Sequence, residues 1–308
     1  MLQSVQTVAT QIFIMFLLMF VGSMLYHKKI IDNEGSRQIS SLLLNVVTPA
    51  VLISSFQREF NLSDFKDLGL AFFFAVLTYL FPIVLMRLLY GKSKLSYARD
   101  AQMCVIFSNN GFMAIPLLQA LLGAKGVFLG SASIVVGTVI VWTYGVRLLS
   151  GEAKVNVRKI FLNPGTLALA GGLLLFVSPV KLPQPIFQAV SYLGGLNTPL
   201  AMIVLGIFLA QSHVFACLKE KTIYWISFLK LIAVPLCMLL LFTVFGVRRD
   251  VAMALLIATA APTGVVTTMF AQTHQTDHLF STRIVAVTTL LSAITLPLCI
   301  SLGEWIWR

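Results

Sequence analysis

Four apolar stretches of this 308-residue chain are each interrupted by a proline set among small polar residues. They read Asn45-Val46-Val47-Thr48-Pro49, Ser108-Asn109-Asn110-Gly111 running on to Pro116, Asn197-Thr198-Pro199, and Ala261-Pro262-Thr263-Gly264. Amides and hydroxyls in such places suit reversible recognition of a polar ligand. The apolar stretches hold no metal-ligand cluster, nucleophile–base pair or carboxylate pair, so no enzyme and no cofactor or metal is expected. A proline inside a helix removes a donor and clashes with the preceding turn. In lipid the freed backbone groups need partners, so such breaks survive only where they line a cavity or lie buried in protein. Matched breaks in two halves of a chain point to the binding site of a secondary transporter.

The elements that position these residues follow from composition. The chain is 58% hydrophobic and only 11% charged, with a mean hydropathy of +0.92; a soluble domain carries roughly 25% charged residues. Ten apolar runs are long enough to span: 5–26, 38–56, 66–90, 98–122, 126–149, 161–178, 185–211, 222–245, 250–272 and 280–306. The first is not expected to be a signal peptide, because Met1–Gln11 holds no Lys or Arg and the basic His27-Lys28-Lys29 follows the run. Alternating the loops from there puts twice as many Lys and Arg inside as outside, with both termini extracytoplasmic. The net charge of +11 is then a topology signal facing anionic lipid, and no nucleic-acid partner is needed. Cys104, Cys217, Cys237 and Cys299 form no C-x-x-C pair and are read as packing residues.

Pro49 and Pro199 lie about 150 residues apart, as do Pro116 and Pro262, and Pro82 pairs with Pro235 in the same way. Five spans per half is an odd number, so the second half would start from the opposite side of the membrane and the repeats would be inverted. The expected architecture is an all-α polytopic membrane protein with repeats over 1–150 and 161–308 and a short cytoplasmic linker over 151–160.

The fourth and ninth spans carry the strongest signals. If both break and cross near the midplane, half-helix N-termini would meet there and favour an anion such as a carboxylate. Asn109, Asn110, Thr263, Thr267 and Thr268 would add donors, or would satisfy backbone exposed by the breaks; spacing leaves both readings open. No Asp or Glu lies deep in a span, which argues against cation/proton antiport. Lys230, the one basic residue well inside a run, either snorkels to the interface or contacts an anion or a helix C-terminus. His274 and His278 are read as loop residues.

At these residues the sequence resembles the auxin efflux carrier family, in its bacterial branch. The matching stretches are Ser108 to Leu118, Trp142-Thr143-Tyr144-Gly145, Asn163-Pro164, Thr198-Pro199-Leu200-Ala201-Met202, Pro262-Thr263-Gly264-Val265-Val266 with Phe270-Ala271, and Leu296-Pro297-Leu298. The resemblance implies ten helices in two inverted five-helix repeats with crossing broken helices, a scaffold bundle and a mobile transport bundle. It also implies a small organic anion as substrate (auxin, malate or malonate), and a homodimer is compatible with it. The family's substrate Asn falls on Asn109, and its crossover prolines on Pro116 and Pro262. Thr138 and Thr263 stand where amides are common in the family, so auxin itself is not assumed.

The resulting expectation is an inner-membrane carrier of a mono- or dicarboxylate working by alternating access. Asn109 and Asn110 would bind substrate, Asn45, Thr138, Thr263 and Thr267 would line the pocket, and Pro116, Pro262, Gly111 and Gly264 would form the crossover. The alternative is a sodium-coupled organic anion symporter of the bile-acid type, which shares the inverted five-helix plan; a channel is a third class.

Overall fold

The computed structural model describes residues 2–150, 161–178, 180–211 and 220–307. The expected linker 151–160 lies outside the described residues, as does Cys217. Every regular element among the described residues is helical. In chain order these are α1 (Leu2–His27), α2 (Asn33–Leu42), α3 (Thr48–Phe56), α4 (Leu62–Tyr90), α5 (Ala98–Ile106), α6 (Ile115–Ile140), α7 (Val146–Ser150) and α8 (Pro164–Val177). There follow α9 (Gln184–Gly195), α10 (Asn197–Gln211), α11 (Lys221–Phe228), α12 (Val234–Val244), α13 (Arg249–Ala260), α14 (Val266–Thr273) and α15 (His278–Ile306).

Helix starts follow local capping chemistry. Asp32, Asn61, Asn163 and Asp277 each accept a backbone N–H two or three residues ahead, at 2.8–3.0 Å. Pro164 sits in the first turn of α8, where a missing N–H costs nothing.

The prolines act differently from the sequence expectation. Three of them follow a π-helical turn by two residues: Leu43–Val47 before Pro49, Asn110–Ala114 before Pro116, and Leu229–Ala233 before Pro235. The wider turn takes up the ring's clash with the preceding carbonyl. Residues Asn33–Phe56 therefore form one continuous helix through Pro49 instead of a broken one. Pro199 likewise lies in the first turn of α10, just after a single turn residue, Leu196.

Among the described residues, seven helical runs are long and apolar enough to cross a membrane: Ala9–His27, Asn33–Phe56, Leu62–Tyr90, Asn110–Ser150, Gln184–Gln211, Lys221–Val244 and His278–Ile306. The chain is thus a multi-pass membrane protein. The expected spans 98–122, 161–178 and 250–272 do not qualify by length. The first and last are broken between α5 and the Asn110–Ala114 turn and between α13 and α14, and α8 has 14 residues. The 41-residue run Asn110–Ser150 is bent at Gly123, where φ is +62° and the chain leaves helical geometry. Large apolar side chains on the outer faces, such as Phe20, Leu88, Leu174 and Val244, are exposed as lipid contact requires.

Packing relies on close backbone approach. A Cβ on Gly22 would lie 2.1 Å from the Ile203 carbonyl oxygen, and one on Gly206 only 1.8 Å from that of Met19. α1 and α10 therefore touch backbone to backbone, the small-residue packing that membrane helices use where no hydrophobic force distinguishes helix from lipid. Phe56, Phe128 and Phe176 form a buried aromatic cluster joining α3, α6 and α8, with centroids 4.7–6.5 Å apart. At one end of the bundle, Arg58–Asp64 (2.8 Å) and Arg248–Asp67 (2.7 Å) pair, and Lys125 bridges Asp64 and Asp250. At the other end the wholly buried Asp100 accepts from Thr276 Oγ1 (2.7 Å), the Asp277 N–H (3.1 Å) and Ser281 Oγ (3.4 Å).

Gly206→Leu should therefore cost about 1–3 kcal/mol or more through overpacking and lower the melting temperature of the detergent-purified protein. Gly171→Ala, where a Cβ meets nothing within 4 Å, should leave it unchanged or slightly raised.

Candidate functional site

α5 ends at Ile106 and α13 at Ala260; Phe107 and Ala261 are then extended. The two extended stretches run antiparallel, and Ser108 pairs with Thr263 in an isolated β-bridge. The Asn109 N–H donates to the Pro262 carbonyl (2.7 Å), and the Gly264 N–H to that of Phe107 (2.9 Å). Each broken helix thus satisfies backbone groups of the other in a medium that offers no water. Contact is so tight that a Cβ on Gly264 would sit 2.9 Å from the Ser108 carbonyl oxygen.

Side chains finish the helix ends. Thr263 Oγ1 donates to the Cys104 carbonyl in the last turn of α5 (2.8 Å), and the Thr263 N–H donates to Thr288 Oγ1 (3.2 Å). Thr267 Oγ1 returns to the Gly264 carbonyl (2.8 Å). At the end of α13 the Thr259 carbonyl accepts from Ser108 Oγ and from Lys230 Nζ, both at 3.3 Å, and Lys230 Nζ also donates to Ser108 Oγ. Lys230 is 1% exposed, so of its two sequence readings the helix C-terminus contact is the one observed, and snorkelling is excluded. Its oxygens are the orphan carbonyl and hydroxyl of the crossover, where a donor-only group complements the negative end of the helix.

Asn109 caps the arm that leads into α6. Its carbonyl accepts from the Met113 and Ala114 N–H groups (3.1 Å each), and its Oδ1 accepts from the Phe112 N–H (3.3 Å). The Asn110 N–H donates to the Ser108 carbonyl (2.9 Å). Most donors of this half-helix N-terminus are therefore already engaged within the protein, which leaves few for the anion that half-helix N-termini were expected to favour. The Asn109 Nδ2 is different: it is buried, on a residue 4% exposed, and without a hydrogen-bond partner among the described residues. A buried amide donor left unpaired is costly and calls for a reason.

Asn110 faces a separate small cavity. Its Nδ2 donates to Tyr79 Oη (2.9 Å), which donates in turn to the Ser133 carbonyl (3.0 Å). Gly137 makes room for this phenol, since a Cβ there would lie 2.3 Å from Tyr79 Oη. The cavity, also lined by Thr78, Ser108 and Lys230, has a volume of about 10 Å3, room for about one water molecule. An organic anion does not fit it in this conformation.

The structure thus brings Asn109, Asn110, Pro262, Thr263, Gly264 and Thr267 together at the crossover. It does not bring Asn45, which is exposed and donates back to Ser41 one turn earlier (2.8 Å). Thr138 bonds the Ile134 carbonyl of its own helix (2.9 Å). Pro116 lies in the first turn of α6, beyond the π-helical turn, and takes no part in the bridge. Gly111 is not crowded either: a Cβ there would meet only Leu44 Cδ2, at 3.9 Å. Sequence reasoning gave Ser108 no role of its own and did not find Thr259, Tyr79 and Ser133. The Pro82–Pro235 pairing carried a signal, because Thr78-Tyr79 and Lys230 each come about one turn before their proline.

Gly264→Ala should accordingly destabilise the folded protein by about 1–3 kcal/mol, whereas Gly111→Ala should fall within roughly 0.5 kcal/mol of the parent. Thermal unfolding of the two variants side by side checks this.

The profile of a family described as membrane transport protein matches residues 7–158 and 152–300. The chain is similar to auxin efflux carrier component 3a of Oryza sativa subsp. japonica, at 28% identity over 152 residues, covering 47% of this chain and 24% of that protein. Auxin efflux carrier components 7 and 3 of Arabidopsis thaliana match with the same identity and coverage. The match spans about a quarter of the length of these relatives, 24% in each. With apolar helices, a backbone-paired crossover and a profile that runs over nearly its whole length, the chain belongs to the membrane transport protein family of the auxin efflux carriers.

Proposed function

We propose that the chain is a secondary carrier that moves a small organic anion, a carboxylate, by alternating access. The observation that carries this reading is the unpaired Asn109 Nδ2 at the start of the second arm of a broken helix. It is a single donor directed from a helix N-terminus, where the local dipole favours negative charge. The crossover holds that donor at a fixed backbone, so recognition needs no reordering of the loop that carries it. The Asn109 Nδ2 is buried in this conformation, which agrees with a site that opens in turn to either side.

The same reading takes the fold to be ten spans in two inverted five-helix repeats, 1–150 and 161–308, in a bacterial inner membrane with both termini extracytoplasmic. The shared proline spacing and the antiparallel meeting of the two broken helices support it. Asn110, Thr263 and Thr267 are then positioning residues of the crossover, since their bonds go to Tyr79, Cys104 and Gly264. Sodium coupling of the bile-acid type has less support, because Lys230 already donates to the Ser108 hydroxyl and the Thr259 carbonyl, oxygens that a sodium ion would need.

Asn109→Asp separates a binding role from a structural one. The aspartate keeps an oxygen to cap Phe112 and replaces the free donor with a negative charge. Because that charge is buried and unpaired, the fold should lose about 2.5–3.5 kcal/mol, read as a lower melting temperature apart from binding. Stabilisation of the purified protein by carboxylates, which follows mass action, should fall by at least about tenfold in apparent affinity. Undiminished carboxylate binding in a folded Asn109→Asp protein would remove Asn109 from the site. Asn45→Ala, on an exposed face, should bind as the parent does.

A further inference from the structure

A larger cavity, about 360 Å3, lies between α3, the first arm of α6, and α9–α10. Its polar wall is made by Ser54, Ser55, Gln119, Ser191, Asn197 and Thr198, and none of its lining residues is charged. Val51, Ile115 and Phe187 give it an apolar floor. Asn197 is 3% exposed. Neither its Oδ1 nor its Nδ2 has a hydrogen-bond partner among the described residues. Every other described asparagine has at least one side-chain atom engaged: Asn33, Asn45, Asn61, Asn109, Asn110 and Asn163. A buried amide with both ends idle, on a residue that lines a cavity but whose amide is covered from it in this conformation, calls for a reason, and a ligand met by a turn of the side chain is one.

The chemistry of the wall restricts that ligand. A primary amide donates and accepts side by side, so it complements a group that does both. With no charge in the wall, a charged group seated there would be desolvated without a counter-charge. The cavity and the proposed anion site share one half-helix: Ile115 follows directly on the π-helical turn that Asn109 caps, and that turn packs against α10. A carboxylate at Asn109 would therefore place the rest of its molecule toward Asn197.

We propose that Asn197 is a substrate-recognition residue of this second subsite, and that the transported anion is a monocarboxylate whose body carries an uncharged hydroxyl or amide. This rests on the anion site at Asn109. A dicarboxylate such as malonate would put its second charge among neutral groups and bind less well.

The test is a set of thermal-stabilisation titrations of the purified full-length protein with lactate, propionate, mandelate, phenylacetate and malonate. In the parent, lactate should bind roughly tenfold more tightly than propionate, and mandelate than phenylacetate, the return from one well-placed buried hydrogen bond. Asn197→Leu should bring both ratios to about one, Asn197→Ser should restore part of them, and Gln119→Ala, on an exposed rim residue that the fold tolerates, should reduce them. Asn109→Asp should weaken all five compounds alike and leave the ratios. Parent ratios near one, or ratios unchanged in folded Asn197→Ser and Gln119→Ala proteins, overturn the role of Asn197 while the carboxylate site stands. Malonate binding more tightly than the monocarboxylates overturns the substrate class. No shift with any carboxylate overturns both the second subsite and the anion site beneath it.

Discussion

Two hydrogen bonds between extended backbones organise this protein. In a membrane an interrupted helix exposes N–H and C=O groups that lipid cannot satisfy. One interrupted helix alone would be prohibitive; two interrupted at the same depth can satisfy each other. The Asn109 N–H to Pro262 carbonyl and Gly264 N–H to Phe107 carbonyl bonds do this with a single bridged pair, Ser108 and Thr263. The bridge is so short that what it leaves unsatisfied must be met by side chains close at hand. Thr263, Ser108 and Lys230 meet it by donating to the last carbonyls of α5 and α13. The close approach also excludes a side chain at Gly264.

The existence of the breaks was legible because proline, glycine and small polar residues recur at the same interval in both halves of the chain. Their positions were legible only in part. Pro116 follows the real break by several residues, because a π-helical turn lets a proline sit inside a helix without ending it. The same device hides Pro49 and Pro235 within continuous helical runs. Which of the two readings of Lys230 holds was not legible for another reason. Its partners lie 122 residues away in Ser108 and 29 away in Thr259, and no periodicity along a single helix reports a contact of that kind. A lysine inside an apolar run looks the same in sequence whether it reaches for the interface or for a buried carbonyl.

Residue type proved a weak guide to the site, and hydrogen-bond accounting a stronger one. Hydroxyls in membrane helices have a local outlet: Thr138, Thr259 and Thr289 each donate to the carbonyl four residues back. Such a threonine is satisfied wherever the helix places it, so its presence near a break says little about ligands. An asparagine amide has both a donor and an acceptor to satisfy and is harder to serve locally. Asn110 meets half its need through Tyr79, Asn109 meets half through the Phe112 N–H, and Asn197 meets none.

That gradation bears on how a carrier can be both stable and able to bind. A site whose polar atoms were all paired within the protein would have to break those bonds before it could hold a substrate, and binding would be weakened by that cost. Here the backbone groups that join the two broken helices are paired with each other, while the unpaired atoms belong to side chains that no backbone bond depends on. Rigidity and readiness are thus assigned to different atoms of the same short segment: Asn109 holds the bridge through its N–H and the second arm through its carbonyl and Oδ1, and keeps Nδ2 in reserve. A substrate that took up this one donor would gain a hydrogen bond without unmaking any that hold the fold together.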